Sequence, residues 1–592
     1  MAFIKKPSVP LIPFVFIFFS FILLHHLGSA QEQQRRQQQQ QQQPQPQLEA
    51  LSSLSFISDA TELPTQEEYD FIIVGGGTAG CPLAATLSQN HRVLMVERGG
   101  HILEHPSLLT QEGFLQTLTR VDALDSPAEA FTSEDGVQNA RGRVLGGSSS
   151  INAGFYSRSD QDFFRHSESP LKWDLDLVNQ SYEWVEKTVV FRPDLKNWQS
   201  AVRDGLIEAD IMPYNGFTLD HVVGTKIGGS IFDSYGRRHS AADLLHEAHP
   251  SNLKIALHAT VERILLDTQS SDSSSHRRRR RPRRGGRVGV VASAIGILYQ
   301  DRAGRYHRAM VREKGGGEVI LCAGALGSPQ LLLLSGIGPR SYLSSMGIPV
   351  AHHLPHVGQF LYDNPRNGIS ILPPVPLDHS LIQVVGITES GTYIEAASNI
   401  VPFSPPPRNA FLHNPATPLY FTVATIMEKI SGPLSVGSLR LASTDVKVSP
   451  VVRFNYFAEA EDLERCVRGM RKIGEVLRGR SLDDLKVREW FGGRDFRYVG
   501  ATLPFNQSDD GLMEEFCRRT VTTIWHYHGG CVAGKVVDGK HRVIGVDKLR
   551  VVDGSTFPIS PGTNPQATVM MLGRYVGVKL LEEQERRNSE ER

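Results

Sequence analysis

Apolar residues along the chain gather into short runs separated by glycine-rich turns, and the runs alternate in type. YDFIIVGGGTAG (69–80) is a continuous apolar run opening into glycines, PLAATLSQ has helical spacing, and HRVLMVERGG (91–100) is a second apolar run. Together they predict one βαβ unit of a parallel sheet. Near the other end, TIWHYHGGC and LRVVDGSTFP read as strands, and NPQATVMMLGRYVGVKLLEEQERR (564–587) reads as a long helix. Asn564 suits its N-cap, and Pro565 suits the first helical position, where no N–H is needed. The expected class is α/β, with α+β character in a second domain.

Two stretches break the pattern. Lys5 and Lys6 precede LIPFVFIFFSFILL (11–24), and small residues follow at Gly28 and Ala30, the layout of a secretory signal peptide over 1–30. No later run is long enough to span a membrane, so a secreted protein, extracellular or in the cell wall, is expected. The tract QEQQRRQQQQQQQPQPQ opens a glutamine-rich linker over 31–65 that lacks the apolar residues needed to offset ordering, so folded structure should begin near Glu67. SSDSSSHRRRRRPRRGGR (270–287) lies between the strand-like runs VERILLD and VGVVASAIGILYQD and reads as a solvated loop insertion.

Charge narrows the function little. The 592 residues carry 63 basic and 63 acidic side chains, which leaves no global field to attract nucleic acid. Five cysteines in an oxidising compartment allow up to two disulfides. Secretion also gives meaning to the sequons at Asn179 and Asn506, since glycans attach to exposed loops.

Gly75, Gly77 and Gly80 form G-x-G-x-x-G between a predicted strand and helix, with Glu97 ending the next strand. Glycines there permit a tight turn and close approach of a pyrophosphate, the helix start offers free N–H groups, and the acid can bind ribose hydroxyls. The pattern says dinucleotide, FAD or NAD. A second segment, RGRVLGGSSSINAGFYSR (141–158), can cradle a phosphate, lie against a flat ring, or be a plain polar loop. His526 and His528, two apart in WHYHGGC, would share one face of a strand. They read as a metal pair, as a base with a neighbour, or as ordinary strand residues. No third ligand at zinc spacing lies near, so no metal site is expected.

GGGTAG with Glu97, RVLGGSSSIN, GALGSPQLLLLSGIG (324–338), HVGQFLYDNP (356–365), WHYHGGC, and VVDGSTFP followed by GTNPQAT together resemble the glucose-methanol-choline (GMC) family of FAD oxidoreductases, in its plant HOTHEAD-like and mandelonitrile-lyase-like branch. The resemblance implies a Rossmann-like FAD-binding domain assembled from discontinuous segments (66–160, 215–345 and 521–587) and a substrate-binding domain with an antiparallel sheet (161–214 and 346–520). By position, Gly75, Gly77, Thr78, Ala79, Gly80, Glu97 and Arg98 would hold the ADP half. Val144, Ser148, Asn152, Ala153, Gly154 and Phe155 would line the flavin side. Val261 would meet the adenine, and Trp525, His526, Asp553, Gly554, Pro565 and Gln566 would complete the cradle. No histidine stands in the glycine-serine segment where some members attach the cofactor, so FAD is expected to be non-covalent.

The family motif places the catalytic histidine at His526 and its partner at Asn564, leaving His528 as a buried strand residue. A neutral imidazole suits removal of a hydroxyl proton while hydride passes to flavin N5. The implied function is oxidation of a small-molecule primary alcohol, with a long-chain ω-hydroxy fatty acid as first candidate and the electron acceptor unspecified. The alternative within the branch is a mandelonitrile lyase, disfavoured because Asn564 stands where the lyase has its second histidine. The resemblance also implies a disulfide between Cys466 and Cys517.

Overall fold

A computed structural model describes residues 54–591, apart from 115–116, 118–125, 168, 269–291, 314–315, 404–418 and 490–491. The expected signal peptide, most of the glutamine-rich linker and the 270–287 insertion therefore lie outside the described residues.

Six parallel strands form the first sheet, in the spatial order Ile57–Asp59, Leu253–Leu257, Val93–Val96, Phe71–Val74, Glu318–Leu321, Leu549–Val551. The strands FIIV, VLMV and EVIL are buried at every position, because both faces of the sheet are covered. Alternation then divides them between two cores. Phe71, Ile73, Val93 and Met95 pack with Leu83, Met571 and Val576, from the helices Gly80–Leu87 and Gln566–Glu591. Ile72, Val74, Leu94 and Val96 pack against Leu326 and Leu332 of the helix Gly324–Leu334 and against Ala294 and Ile297 of a five-stranded second sheet.

The folded chain starts earlier than Glu67, because Ile57–Asp59 pairs in parallel with Ile255–Leu257 as the outermost strand of the first sheet and Phe56 is buried. That strand is three residues long with Ile57 as its one apolar residue, too weak a pattern to reveal an edge strand.

The other half is built on a sheet of eight strands, with Arg497–Val499, Pro365–Leu372, Leu419–Ile430, Thr392–Phe403, Val384–Ile387, Gly224–Ile227 and Tyr214–Phe217 in order, and Thr522–Thr523 alongside Pro365–Arg366. Its back is apolar. Ile369, Ile371, Ile394, Ala396, Ala424 and Ile426 pack on the helices Asn197–Glu208, Ala460–Arg478 and Asp510–Thr520. Its front faces the first half. Cys466 and Cys517, on the last two of those helices, stand at disulfide distance with their α carbons 6.4 Å apart.

The segment boundaries expected from the sequence differ in three places. The strands within 215–227 belong to the substrate sheet and not to the nucleotide side. Helix Leu175–Val189 buries Val178, Tyr182 and Val185 in the nucleotide-side core. Leu354, Val357 and Leu361 also join a nucleotide-side core. Each side chain buries where its apolar surface is covered, which chain order does not reveal. Among the described residues no helix is long and apolar enough to cross a membrane.

Candidate functional site

Between the halves lies a cavity of about 660 Å³. Its nucleotide side is mostly backbone. Gly75 adopts φ +109°, where a Cβ would come within 2.5 Å of the carbonyl oxygen of Cys322. Gly80 is needed for a different reason, since a Cβ there would strike the Gly75 carbonyl oxygen at 2.0 Å, so it sets how closely the helix approaches the loop. Gly77 faces Gly147. Glu97 accepts hydrogen bonds from the Gly76 N–H (2.9 Å) and the Gly99 N–H (2.8 Å), and burial raises its pKa against those bonds. Arg98 pairs with Glu129 at 2.5 Å.

Asn152 and Gln566 tie the glycine-serine segment to the terminal helix. Asn152 Nδ2 donates to Gln566 Oε1 (2.8 Å), Asn152 Oδ1 accepts from the Gly154 N–H, and Gln566 donates to the Phe155 carbonyl. Asp553 accepts from the N–H groups of Gly324 (2.9 Å) and Ser555 (2.8 Å), pinning the loop before helix Gly324–Leu334. Thr78, Ala79, Ser148, Ala153, Val261, Trp525, Gly554 and Pro565 also border the cavity. Two expected residues do not border it. Gly80 packs behind the loop, and Val144 is fully buried in a bridge to Gly100. These surfaces fit a dinucleotide: glycine-lined approach, clustered N–H groups, and open space within 4 Å of the Cβ position at Gly324.

WHYHGGC is not one strand. Trp525 takes φ +60° and separates Thr522–Thr523 from His528–Gly529, so strand alternation does not relate the two histidines. The turn delivers the His526 side chain to the cavity, with its backbone N–H on Asp363 Oδ1 at 3.0 Å. His528 also borders the cavity, but its Nδ1 bonds the His526 carbonyl (3.0 Å) and its ring stacks on Tyr362. Burial pushes His528 down to about 4. Asn564 does not cap the terminal helix. The first helical bond runs from Val569 N–H to the Pro565 carbonyl, and Asn564 Oδ1 is buried with no partner among the described residues. Among those residues no group of three or more His, Cys, Asp or Glu could hold a metal.

The front of the substrate sheet adds charges that the motifs did not reveal. Register places Arg366, Lys429 and Tyr393 in one row, Gly368, Met427 and Glu395 in the next, and Ser370, Thr425 and Ala397 in a third. Lys429 Nζ lies 3.3 Å from His526 Nδ1 and 4.1 Å from the centre of the Tyr393 ring. The Arg366 guanidinium covers the Trp525 ring at 5.1 Å. Burial lowers Lys429 to about 8, against the attraction of Glu395, and raises Glu395, against Lys429, Asn564 and Arg366. His526 is driven well below its ordinary value, first by burial and then by Lys429, His528 and Arg366. Asp363 rises to about 7 because burial outweighs the hydrogen bonds it accepts. The lysine in the apolar run TVATIMEKI and the glutamate in TYIEAAS are the one sequence signal that could have found this cluster, since such residues are seldom buried.

Comparison with known proteins matches two models described as GMC oxidoreductase, over residues 69–366 and 433–573. The chain belongs to the GMC oxidoreductase family. As a GMC oxidoreductase it is FAD-dependent and acts on alcohols. It is 63% identical to an (R)-mandelonitrile lyase-like protein of Arabidopsis thaliana, over 90% of this chain and 93% of that one. Identity is 47% to a sinalpyl alcohol oxidase of Nesocodon mauritianus (90% and 92% covered) and 44% to the HOTHEAD protein of Arabidopsis thaliana (87% and 88%). The GMC fold is also that of a solved formate oxidase, with TM-score 0.70 at 21% identity over 88% of this chain and all of that one.

Proposed function

We propose that this chain oxidises a primary alcohol with His526 as general base and Asn564 as hydrogen-bonding partner of the substrate oxygen. One observation carries the reading: the buried His526 imidazole, whose surroundings disfavour its charged form, borders the same cavity as Asn564, whose amide N–H can donate to a substrate oxygen without competing for its proton. The cradle residues Gly75, Gly77, Glu97, Ser148, Asn152, Asp553 and Gln566 would hold FAD, which supplies the hydride acceptor. Asp363 and the His526 carbonyl contact from His528 hold the base in place.

The cavity front favours a compact alcohol with a polar substituent over a long-chain ω-hydroxy fatty acid, because Arg366, Glu395, Ser370, Thr425 and Asn399 line it beside Phe114, Met427 and Trp525. Similarity to a sinalpyl alcohol oxidase supports the same direction. The competing reading is cyanohydrin cleavage, favoured by the 63% identical lyase-like relative and opposed by Asn564. Anaerobic mixing of the yellow protein with aryl alcohols, ω-hydroxy fatty acids and mandelonitrile separates them: bleaching of the flavin band supports oxidation, and cyanide release without bleaching supports the lyase. FAD is held without a covalent bond in this reading, so acid precipitation should release the yellow colour.

Secretion and glycosylation belong to the same proposal. Asn506 is exposed in a loop, and Asn179 is exposed on a helix rather than in a loop. A glycosidase-sensitive mass shift on protein from a secreting host tests both.

A further inference from the structure

Lys429 Nζ touches His526 Nδ1, which leaves Nε2 as the nitrogen open to a substrate, and the charge of the lysine bears on which nitrogen carries the ring proton. An ammonium has donors and no acceptor, so charged Lys429 donates to His526 Nδ1 and the single proton of the neutral ring must sit on Nε2. In that tautomer Nε2 has no lone pair for a hydroxyl proton. An uncharged amine has a lone pair and can instead accept from Nδ1–H, which leaves the Nε2 lone pair free. We propose that Lys429 is a positioning residue that selects the tautomer of His526 and receives the proton the imidazole takes up, an inference that rests on the reading of His526 as base.

The proton count closes. Starting from uncharged Lys429 and the Nδ1–H tautomer, the alcohol O–H bond breaks and its proton binds Nε2; FAD in the cradle would supply the acceptor for the carbinol hydride. The Nδ1 proton then moves 3.3 Å along the existing contact to Nζ. What remains is ammonium Lys429, a neutral Nε2–H ring and an aldehyde. His526 thus never has to stay charged in a site that disfavours its charge, and the lysine ammonium ends between the Tyr393 ring face and the Glu395 field.

Every charged or titratable group facing the pair bears on this switch. Glu395 favours the ammonium, whereas Arg366 works against charge on His526. Asp363 engages the His526 backbone, and His528 is committed to the His526 carbonyl. Tyr393 bonds Thr563 through its hydroxyl, and His221 stacks on the far side of the Tyr393 row and feels Lys429. With Lys429 buried and lowered to about 8, its uncharged fraction grows as pH rises through that value, so the base-competent tautomer gains population over the same range.

The decisive variant is Lys429→Arg, which keeps the charge, the partnership with Glu395 and the position over Tyr393, yet cannot become an acceptor. In the FAD-loaded full chain labelled with ¹⁵N-histidine, the His526 signals are identified by their loss in His526→Gln. Wild type should exchange Nε2–H for Nδ1–H between pH 6 and 10, and Lys429→Arg should hold Nε2–H throughout. Where an alcohol bleaches the flavin, Lys429→Arg should slow bleaching about 10- to 100-fold, remove its rise near pH 8 and leave KM nearly unchanged. Should Lys429→Arg fail to fold, the paired change Lys429→Gln with Glu395→Gln should abolish the tautomer switch. A Lys429→Arg enzyme with the wild-type switch and rate overturns the inference while leaving His526 as base. A His526→Gln enzyme that bleaches normally overturns the base itself.

Discussion

In the six-stranded parallel sheet, what reaches the cavity is main chain at strand ends and loop glycines. In the facing, mostly antiparallel sheet it is side chains within the strands, with Arg366, Glu395, Met427 and Lys429 on the face turned to the cavity. The first arrangement recognises a cofactor by shape and N–H groups, which requires glycine at fixed sequence distances. The second builds an electrostatic environment, which requires only that particular side chains share one face. Binding and chemistry are therefore separable here, and substitutions should divide along the same line.

The largest expected effect falls on the chemical side. His526→Ala should keep FAD yet lose about 10²- to 10⁴-fold in the rate of flavin reduction, while His528→Ala should be much milder. The reverse order would erase the distinction between the two histidines. Replacing Cys466 and Cys517 together by serine should cost about 2–4 kcal/mol of stability, because the pair closes a span of 51 residues behind the substrate sheet. Calorimetry should show that loss with FAD affinity unchanged at room temperature.

Gly75→Ala tests the other side. It forces a Cβ into the Cys322 carbonyl at a left-handed φ and should cost about 1–3 kcal/mol, read as weakened FAD retention with the bound fraction still bleached at normal rate. Glu395→Gln should produce the smallest change and the most diagnostic one. Removing the carboxylate removes the influence that raises Lys429, so the lysine loses its proton at lower pH and the rising limb of activity should move about one pH unit to acid. A limb that moves to base, or stays, would separate Glu395 from Lys429.

The difference between the halves also explains how much could be read in advance. GGGTAG, Glu97 and the two apolar runs revealed the βαβ unit, because close approach of backbone to a dinucleotide leaves no alternative to glycine at those spacings. Gln566 and Asn152 could be placed by motif, but their mutual hydrogen bond spans 414 residues and no local pattern encodes it. The histidine pair misled through an assumption of regular strand. Trp525 at φ +60° is a non-glycine residue in an uncommon region, a choice that sequence propensity opposes and that its surroundings, including Arg366 over its ring, accompany. Val144 looked like a flavin-side residue from its neighbours in the motif, yet backbone pairing with Gly100 turns it into the core.

The chain by itself determined the family and the glycine turn with Glu97, because each depends on residue type at a fixed place along the chain, and resemblance to that family put forward His526 with Asn564 and Cys466 with Cys517. Tertiary structure decided that Lys429 meets His526 across 97 residues, that Glu395 and Arg366 join them, and that Asn564 leaves its oxygen to the cavity instead of capping a helix. Those relations come from strand register and burial. Buried charges act through space at close range in a medium that screens them weakly, so their effect follows from where the fold brings them and not from their order in the sequence.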